Sequence, residues 1–282
     1  MCGPANQKKI WPEFFLIYCF AKTAPEKMDF EFGDIASLAK ECGEPVDDRF
    51  VLTRAMQQAF IDTLAVTAAD VERIMRYEQR SAEWFEARKA RMTGSIVGAI
   101  VGHNYFSKPH DLLRDLLWNT FNGNAATQWG TDHEAIAAIR YENHTNAEVD
   151  YPGLIINPKR PWLAYSPDGV VNSAKLLLEI KCPFKKKLYS SIPAYYFDQI
   201  QYGAHLMECS AIDFFVWTPT KCKLERYAYE RAYCEEFLIP TVEKFYFRRF
   251  LPLYLLQKLG KLEEGSIQVP SGVVVEPYWP AE

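Results

Sequence analysis

Asp168, Glu179 and Lys181 stand in one stretch, WLAYSPDGVVNSAKLLLEIKCPF at 162–184, with a spacing that suits metal-dependent cleavage of a phosphodiester. An acidic pair with oxygen donors suits Mg²⁺, with Mn²⁺ as a substitute, far better than zinc, which prefers His and Cys; the carbonyl of Ile180 adds a further hard donor. Such ions lower the pKa of a bound water to make a nucleophile, and together with Lys181 they neutralise charge developing on the phosphate. A Glu-x-Lys pair alone is more often a solvated surface pair, so the surrounding elements decide.

Residues 162–168 read as a strand ending in a Ser-Pro-Asp-Gly turn, 172–175 as a polar turn and 176–182 as a second strand, which makes a hairpin. Alternation puts Glu179 and Lys181 on one face and Leu178, Ile180 and Cys182 on the other, and Asp168 at the bend reaches the first face. With a further strand at 153–157, the segment 153–182 is expected to be a three-stranded antiparallel meander.

The chain has 282 residues, 49% of them hydrophobic and 15% aromatic, ample for a real core and unlike a disordered protein. No apolar run approaches the roughly 18 residues of a membrane span, and the opening MCGPANQKKI lacks a signal-peptide pattern, so a soluble intracellular protein with no membrane role is expected. Seven cysteines without close pairing read as reduced thiols, and the dispersed Cys209, Cys222 and Cys234 lead us to expect no iron–sulfur cluster. A net charge of −4 is unlike that of a protein that coats DNA nonspecifically. The clusters Lys185, Lys186, Lys187 and Arg88, Lys89, Arg91 are either phosphate contacts or solvated faces.

Residues 1–30 show no clear periodicity, whereas 34–77 turn helical, with Pro45 or the stretch near Thr67 as internal joints. Thr67 to Asp70 has the form of a capping box. Ser81 is placed to cap a helix carrying Trp84 and Arg88, and Thr93-Gly-Ser95 to open the next. A guanidinium and a hydroxyl beside a helix start can form a phosphate pocket, or be an ordinary surface Arg and an N-terminal Ser. Pro109 opens an amphipathic helix, and after Asn122-Gly-Asn a second helix carries Trp129, His133 and Glu134, with a pattern expected to bury much of its surface. On it, Glu134 is either exposed or a further metal-site carboxylate, and His133 is structural or solvent-facing. A long helix is expected over 188–208, two strands over 211–219 and 223–230, and a closing helix over 232–259. Gln199 and Gln201 are two apart, so at most one of them faces the site.

The blocks W-x₃-R-x₄-T-G-S, W-G-x₃-E, S-P-D-G, L-E-I-K-C-P-F and Q-I-Q-Y, in that order across 79–207, resemble the lambda-type exonucleases of the YqaJ viral recombinase family, found in phages and large DNA viruses. The P-D and E-I-K elements also match the motif of the PD-(D/E)xK nuclease superfamily. The resemblance implies an α/β (α+β) fold: a restriction-endonuclease-like core at 78–260, with a mixed central sheet flanked by helices, a largely helical extension at 1–77 and a tail at 261–282. It implies that Asp168, Glu179, the Ile180 carbonyl and Glu134 hold two Mg²⁺ ions, that Lys181 is the catalytic lysine, and that Gln201 orients the attacking water or the lysine. It gives Arg88, Ser95 and Ser166 the 5′-phosphate of a DNA end, which would register the next phosphodiester over the metals. The implied activity is degradation of one strand from a duplex 5′ end, leaving a 3′ overhang for recombination, with a single-strand annealing protein as a partner. The helical extension is absent from the short phage enzyme and, with the tail, could block the packing that makes that enzyme a ring-shaped trimer, which leaves oligomeric state open and makes a less processive monomer an expectation. The rival readings are a restriction-type endonuclease using the same three residues and a noncatalytic DNA-binding scaffold.

Overall fold

The structure is a computed structural model and describes residues 49–120, 123–171 and 175–280. The expectations for 1–48, including the helix begun at 34 and the joint at Pro45, lie outside the described residues, as does most of the polar turn at 172–175.

In chain order the elements are β1 (Phe50–Leu52), α1 (Arg54–Thr63), α2 (Ala68–Met75), α3 (Ala82–Arg88), β2 (Met92–Thr93), α4 (Gly94–Ile100), α5 (Pro109–Trp118) and α6 (Ala125–Thr145). There follow β3 (Ile155–Ile156), β4 (Leu163–Tyr165), β5 (Gly169–Val171), β6 (Leu176–Lys181), α7 (Ala194–Met207), β7 (Ala211–Trp217) and β8 (Cys222–Ala228). A long helical stretch then joins a π-turn segment Tyr233–Leu238, α8 (Ile239–Phe245), a second π segment Tyr246–Phe250 and α9 (Leu251–Lys258), before β9 (Val273–Val275). Each π segment runs up to Pro240 or Pro252 at the start of the next α-helical piece, where a missing N–H breaks the regular ladder.

The start signals act as their chemistry dictates. Thr67 and Asp70 close a reciprocal capping box, Ser81 accepts from the Trp84 N–H, and Pro109 takes the first turn of α5. Pro193 stands in extended backbone just before α7, which begins at Ala194, later than the expected 188.

Among the described residues three sheets form: β1 with β9, the order β2-β4-β3, and the order β5-β6-β7-β8. This corrects the expected meander. β3 and β4 do pair antiparallel, but β4 ends at Tyr165 and joins β2, and it is β5 that pairs antiparallel with β6. The Ser-Pro-Asp turn therefore steps the chain from one sheet to the next, and β6, parallel to β7, becomes an inner strand. A second correction concerns α6. Of its residues only Ala137, Ala138 and Tyr141 are buried, and Ile136 and Ile139 face out.

β6 separates two layers. Leu178 and Ile180 pack with Tyr141 of α6, while Leu177 joins the main core with Ile200, Tyr202 and Leu206 of α7. Leu52, Met56 and Phe60 of the N-terminal elements share that main core with Leu251 and Tyr278. No helix among the described residues is long and apolar enough to cross a membrane.

Candidate active site

Alternation along β6 turns Glu179 and Lys181 to the α7 side, opposite Leu178 and Ile180. Glu179 is only 1% exposed. One of its oxygens accepts from the Tyr165 hydroxyl at 2.6 Å, and the other from the Gln199 amide at 2.6 Å and from Lys181 Nζ. Lys181 Nζ also lies 4.7 Å from the centre of the Tyr196 ring.

Asp168 joins this group from the bend after β4. Its Oδ2 accepts the Ile180 N–H at 2.7 Å, and the Gln79 amide holds the turn by donating to the carbonyls of Pro167 at 2.9 Å and Pro152 at 3.1 Å. Burial and then the charge of Glu179 push the Asp168 carboxyl well above the ordinary range, against the pull of Lys181; Glu134 adds to the upward push. The neighbouring carboxylates hold Lys181 firmly protonated even though burial opposes its charge.

Glu134 reaches the same neighbourhood from α6 and is engaged by Arg80 at 2.7 Å. Beside it His133 stacks on Trp129 at 3.7 Å and contacts that residue's carbonyl at 2.8 Å, a structural role. Among the described residues no three acidic, His or Cys side chains are already gathered around one point as a ligand set. Instead Glu179 is turned onto Tyr165, Gln199 and Lys181, and Glu134 onto Arg80. The donor chemistry still fits a hard divalent cation: the carboxyls are crowded enough to raise Asp168, and a cation there would relieve that repulsion.

A second cluster lies two residues before Asp168. Ser166 Oγ accepts from Trp84 Nε1 at 3.0 Å and from Arg88 Nη1 at 3.1 Å, and Arg88 Nη2 donates to Thr93 Oγ1 at 3.0 Å. The guanidinium lies over the Trp84 ring, 4.1 Å from its centre. Burial lowers Arg88 to about 10, so it stays cationic at neutral pH, yet among the described residues no carboxylate forms an ion pair with it. Ser95 is exposed on the first turn of α4, next to this cluster in sequence. Of the upstream basic run, Lys89 pairs with Glu86, and Arg91 is bound to the carbonyls of Pro161, Ala87 and Leu64, leaving Arg88 as the member bonded to Ser166 and Thr93.

Gln201 is corrected. Its amide donates to the Ala228 carbonyl at 2.8 Å, its oxygen accepts from the Glu230 N–H at 2.8 Å, and it is fully buried on the side of α7 that meets β8. Gln199, two positions earlier, is the glutamine that touches Glu179. Tyr165, Trp84, Thr93 and Tyr196 are further neighbours of the two clusters that sequence reasoning assigned no role; the helix-opening position of Thr93 and the position of Tyr196 one turn before Gln199 were the available signals.

Residues 83–210 match the model of the YqaJ-like viral recombinase domain. The chain is 28% identical over 176 residues to an uncharacterized protein of Acanthamoeba polyphaga mimivirus, covering 56% of this chain and 31% of that protein. It is 28% identical over 160 residues to a protein of African swine fever virus strain Badajoz 1971, covering 46% of each. The chain thus spans less than half the length of these viral relatives. Among solved structures, the alkaline exonuclease of Laribacter hongkongensis superposes with a TM-score of 0.53 at 26% identity, covering 65% of this chain and all of that one. The mixed sheets and flanking helices are those of the restriction-endonuclease-like fold of phage-type exonucleases. The segment 83–210 is thus similar to a YqaJ-like viral recombinase domain.

Proposed function

We propose that this chain is a divalent-metal-dependent deoxyribonuclease that degrades linear duplex DNA from a 5′-phosphorylated end and leaves a 3′ overhang. The observation that carries the proposal is the partly buried Arg88 guanidinium, which among the described residues has no carboxylate partner and is joined through Ser166 to the turn that bears Asp168. A cation left without its counter-charge in a polar niche is suited to an incoming anion, and a guanidinium fork matches phosphate oxygens. Because Ser166 and Asp168 are two residues apart on one turn, a terminal phosphate held at Arg88 would set the next phosphodiester beside the carboxylates. Ser95 is the third candidate contact, from the start of α4.

Mg²⁺, as two ions, or Mn²⁺ would supply an activated water and polarise the phosphate. Asp168, Glu179, Glu134 and the Ile180 carbonyl would hold it. For that, Glu179 must exchange some of its present partners and Glu134 must leave Arg80. Lys181 stays protonated and faces the developing negative charge, while Gln199 and Tyr165 fix the orientation of Glu179. The similarity to an alkaline exonuclease, a protein also solved in complex with dAMP, supports the nuclease reading. A 3′ overhang is the form that a single-strand annealing protein takes, so we extend the proposal to such a partner, acting inside the cell.

The test is digestion of linear duplex labelled at each end, with 5′-phosphate or 5′-hydroxyl, beside closed circular DNA, with Mg²⁺ or EDTA, by wild type and Glu179→Ala. The expected outcome is shortening of the phosphorylated linear DNA from its 5′ ends while circles survive, and no digestion with EDTA or the variant. Nicked circles would replace the proposal with an endonuclease; no metal-dependent product would replace it with a DNA-binding scaffold.

A further inference from the structure

The loop after α4 holds two large aromatic side chains out in solvent: Tyr105 is 65% and Phe106 74% exposed. It is a fixed loop. His103 Nδ1 lies 3.0 Å from the buried Asp198 carboxylate on α7, the Asn104 N–H donates to the Gly98 carbonyl at 2.9 Å, and the Phe106 N–H donates to Asn104 Oδ1 at 2.9 Å. Leaving two ordered rings in water costs hydrophobic free energy that their burial against something would recover.

The rings lead toward the candidate active site. Tyr105 and Phe106 are 4.1 Å apart, and Tyr105 meets Tyr195 at 5.6 Å. Tyr195 meets Tyr196 at 4.3 Å, and Tyr196 carries Lys181 Nζ at 4.7 Å. The same helix, α7, anchors the loop through Asp198 and supplies Gln199 to Glu179. The ledge is small. An aromatic side chain buries about 150–250 Å², so two rings flanked by Asn104, Ser107 and Lys108 fall well short of the roughly 800 Å² per partner of a stable protein interface. They match the face of a nucleobase, and every base has one.

We infer that Tyr105 and Phe106 are a stacking ledge for an unpaired base at the DNA end whose backbone lies in the active site, making them positioning residues that favour a melted terminal pair. This rests on the proposed action on DNA ends.

The test uses the full chain with a linear duplex carrying 5-iodouracil at its 5′-terminal nucleotide, and a second duplex carrying it at the centre, with Ca²⁺ in place of Mg²⁺ to retain the substrate. Irradiation is expected to crosslink the terminal probe to Tyr105 or Phe106, located by mass spectrometry, and the central probe far less. Replacing both with alanine should weaken end binding, followed by fluorescence anisotropy, by about tenfold, the order of one base–aromatic stack. The single substitution Phe106→Trp should retain wild-type binding. Crosslinks that map elsewhere, equal crosslinking of the central probe, or unchanged affinity in the double-alanine variant would overturn the ledge. Crosslinking at the ledge by a protein that cleaves nothing with Mg²⁺ would overturn the nuclease reading alone. Metal-dependent cleavage without ledge crosslinks would overturn the ledge alone, and absence of DNA-end binding would overturn both.

Discussion

Both oxygens of Glu179 are occupied, by Tyr165 on one side and by Gln199 and Lys181 on the other, and water scarcely reaches it. A carboxylate held in this way is oriented before any cation or substrate arrives, and losing one positioned donor at such a centre costs about 10²–10³-fold in rate. Gln199→Ala is therefore expected to lower kcat by that order with little change in thermal midpoint. Gln201→Ala should do the reverse: it removes a fully buried side chain and its hydrogen bonds to the Ala228 carbonyl and the Glu230 N–H, worth about 0.5–1.5 kcal/mol each. Rate and melting curves for the two variants separate the roles. Arg88→Lys is a third residue-scale expectation. An ammonium cannot span Ser166 and Thr93 as the fork does. The preference for 5′-phosphate over 5′-hydroxyl ends should fall about tenfold or more, the size of a lost charge-assisted hydrogen bond, read as a ratio of kcat/KM values.

Tyr165 can reach Glu179 only because two helices leave space for its ring. A Cβ on Gly94 of α4 would come within 2.3 Å of that ring, and one on Gly203 of α7 within 2.4 Å. Gly203→Ala must therefore push a fully buried Tyr165 aside, and overpacking of this kind costs about 1–3 kcal/mol. Thermal unfolding should register that loss, and cleavage should fall too because Tyr165 drags its hydrogen bond with Glu179. The same elements show what can be read from residue order. Caps and proline starts are local, so Thr67, Ser81 and Pro109 mark helix starts from the sequence alone. The side-chain alternation of β6 is local as well, which made the Glu179–Lys181 face legible. The partner of β4 is not local: only the fold shows that the chain changes sheets at Ser166-Pro-Asp168, and the apolar pattern fits a single meander equally well. Likewise the spacing of Gln199 and Gln201 shows that one must turn away, but the rotation of α7 against β6 decides which. α6 misled for a related reason, since Ile136 and Ile139 look like core residues until their exposed face is known.

At the scale of the molecule, the last described strand closes on the first. β9 runs parallel to β1 with Phe50 opposite Val273, the Glu276 side chain accepts from the Arg54 N–H at 2.8 Å, and the Gln57 amide donates to the Glu276 carbonyl at 2.9 Å. Tyr278 then donates to Gln58 at 2.6 Å and packs on Phe247, 5.5 Å between ring centres. These contacts tie α1 and the helical stretch before α9 to one core, and none of them includes Asp168, Glu179, Lys181 or Arg88. Deleting residues 270–282 removes the strand partner of β1 together with a buried tyrosine, whose burial alone is worth about 1.5–3 kcal/mol. With the lost hydrogen bonds the thermal midpoint should fall on the order of 10 °C, given about 2–4 °C per kcal/mol for a chain of this size. Well below that midpoint the truncated protein should still cleave DNA at close to the wild-type rate, because the acidic cluster keeps every contact described for it. A truncated protein that melts like wild type would mean the β1–β9 pairing adds no stability. Loss of cleavage in a truncated protein that is still folded would mean that the tail acts on the DNA or the active site, and not only on the core it closes.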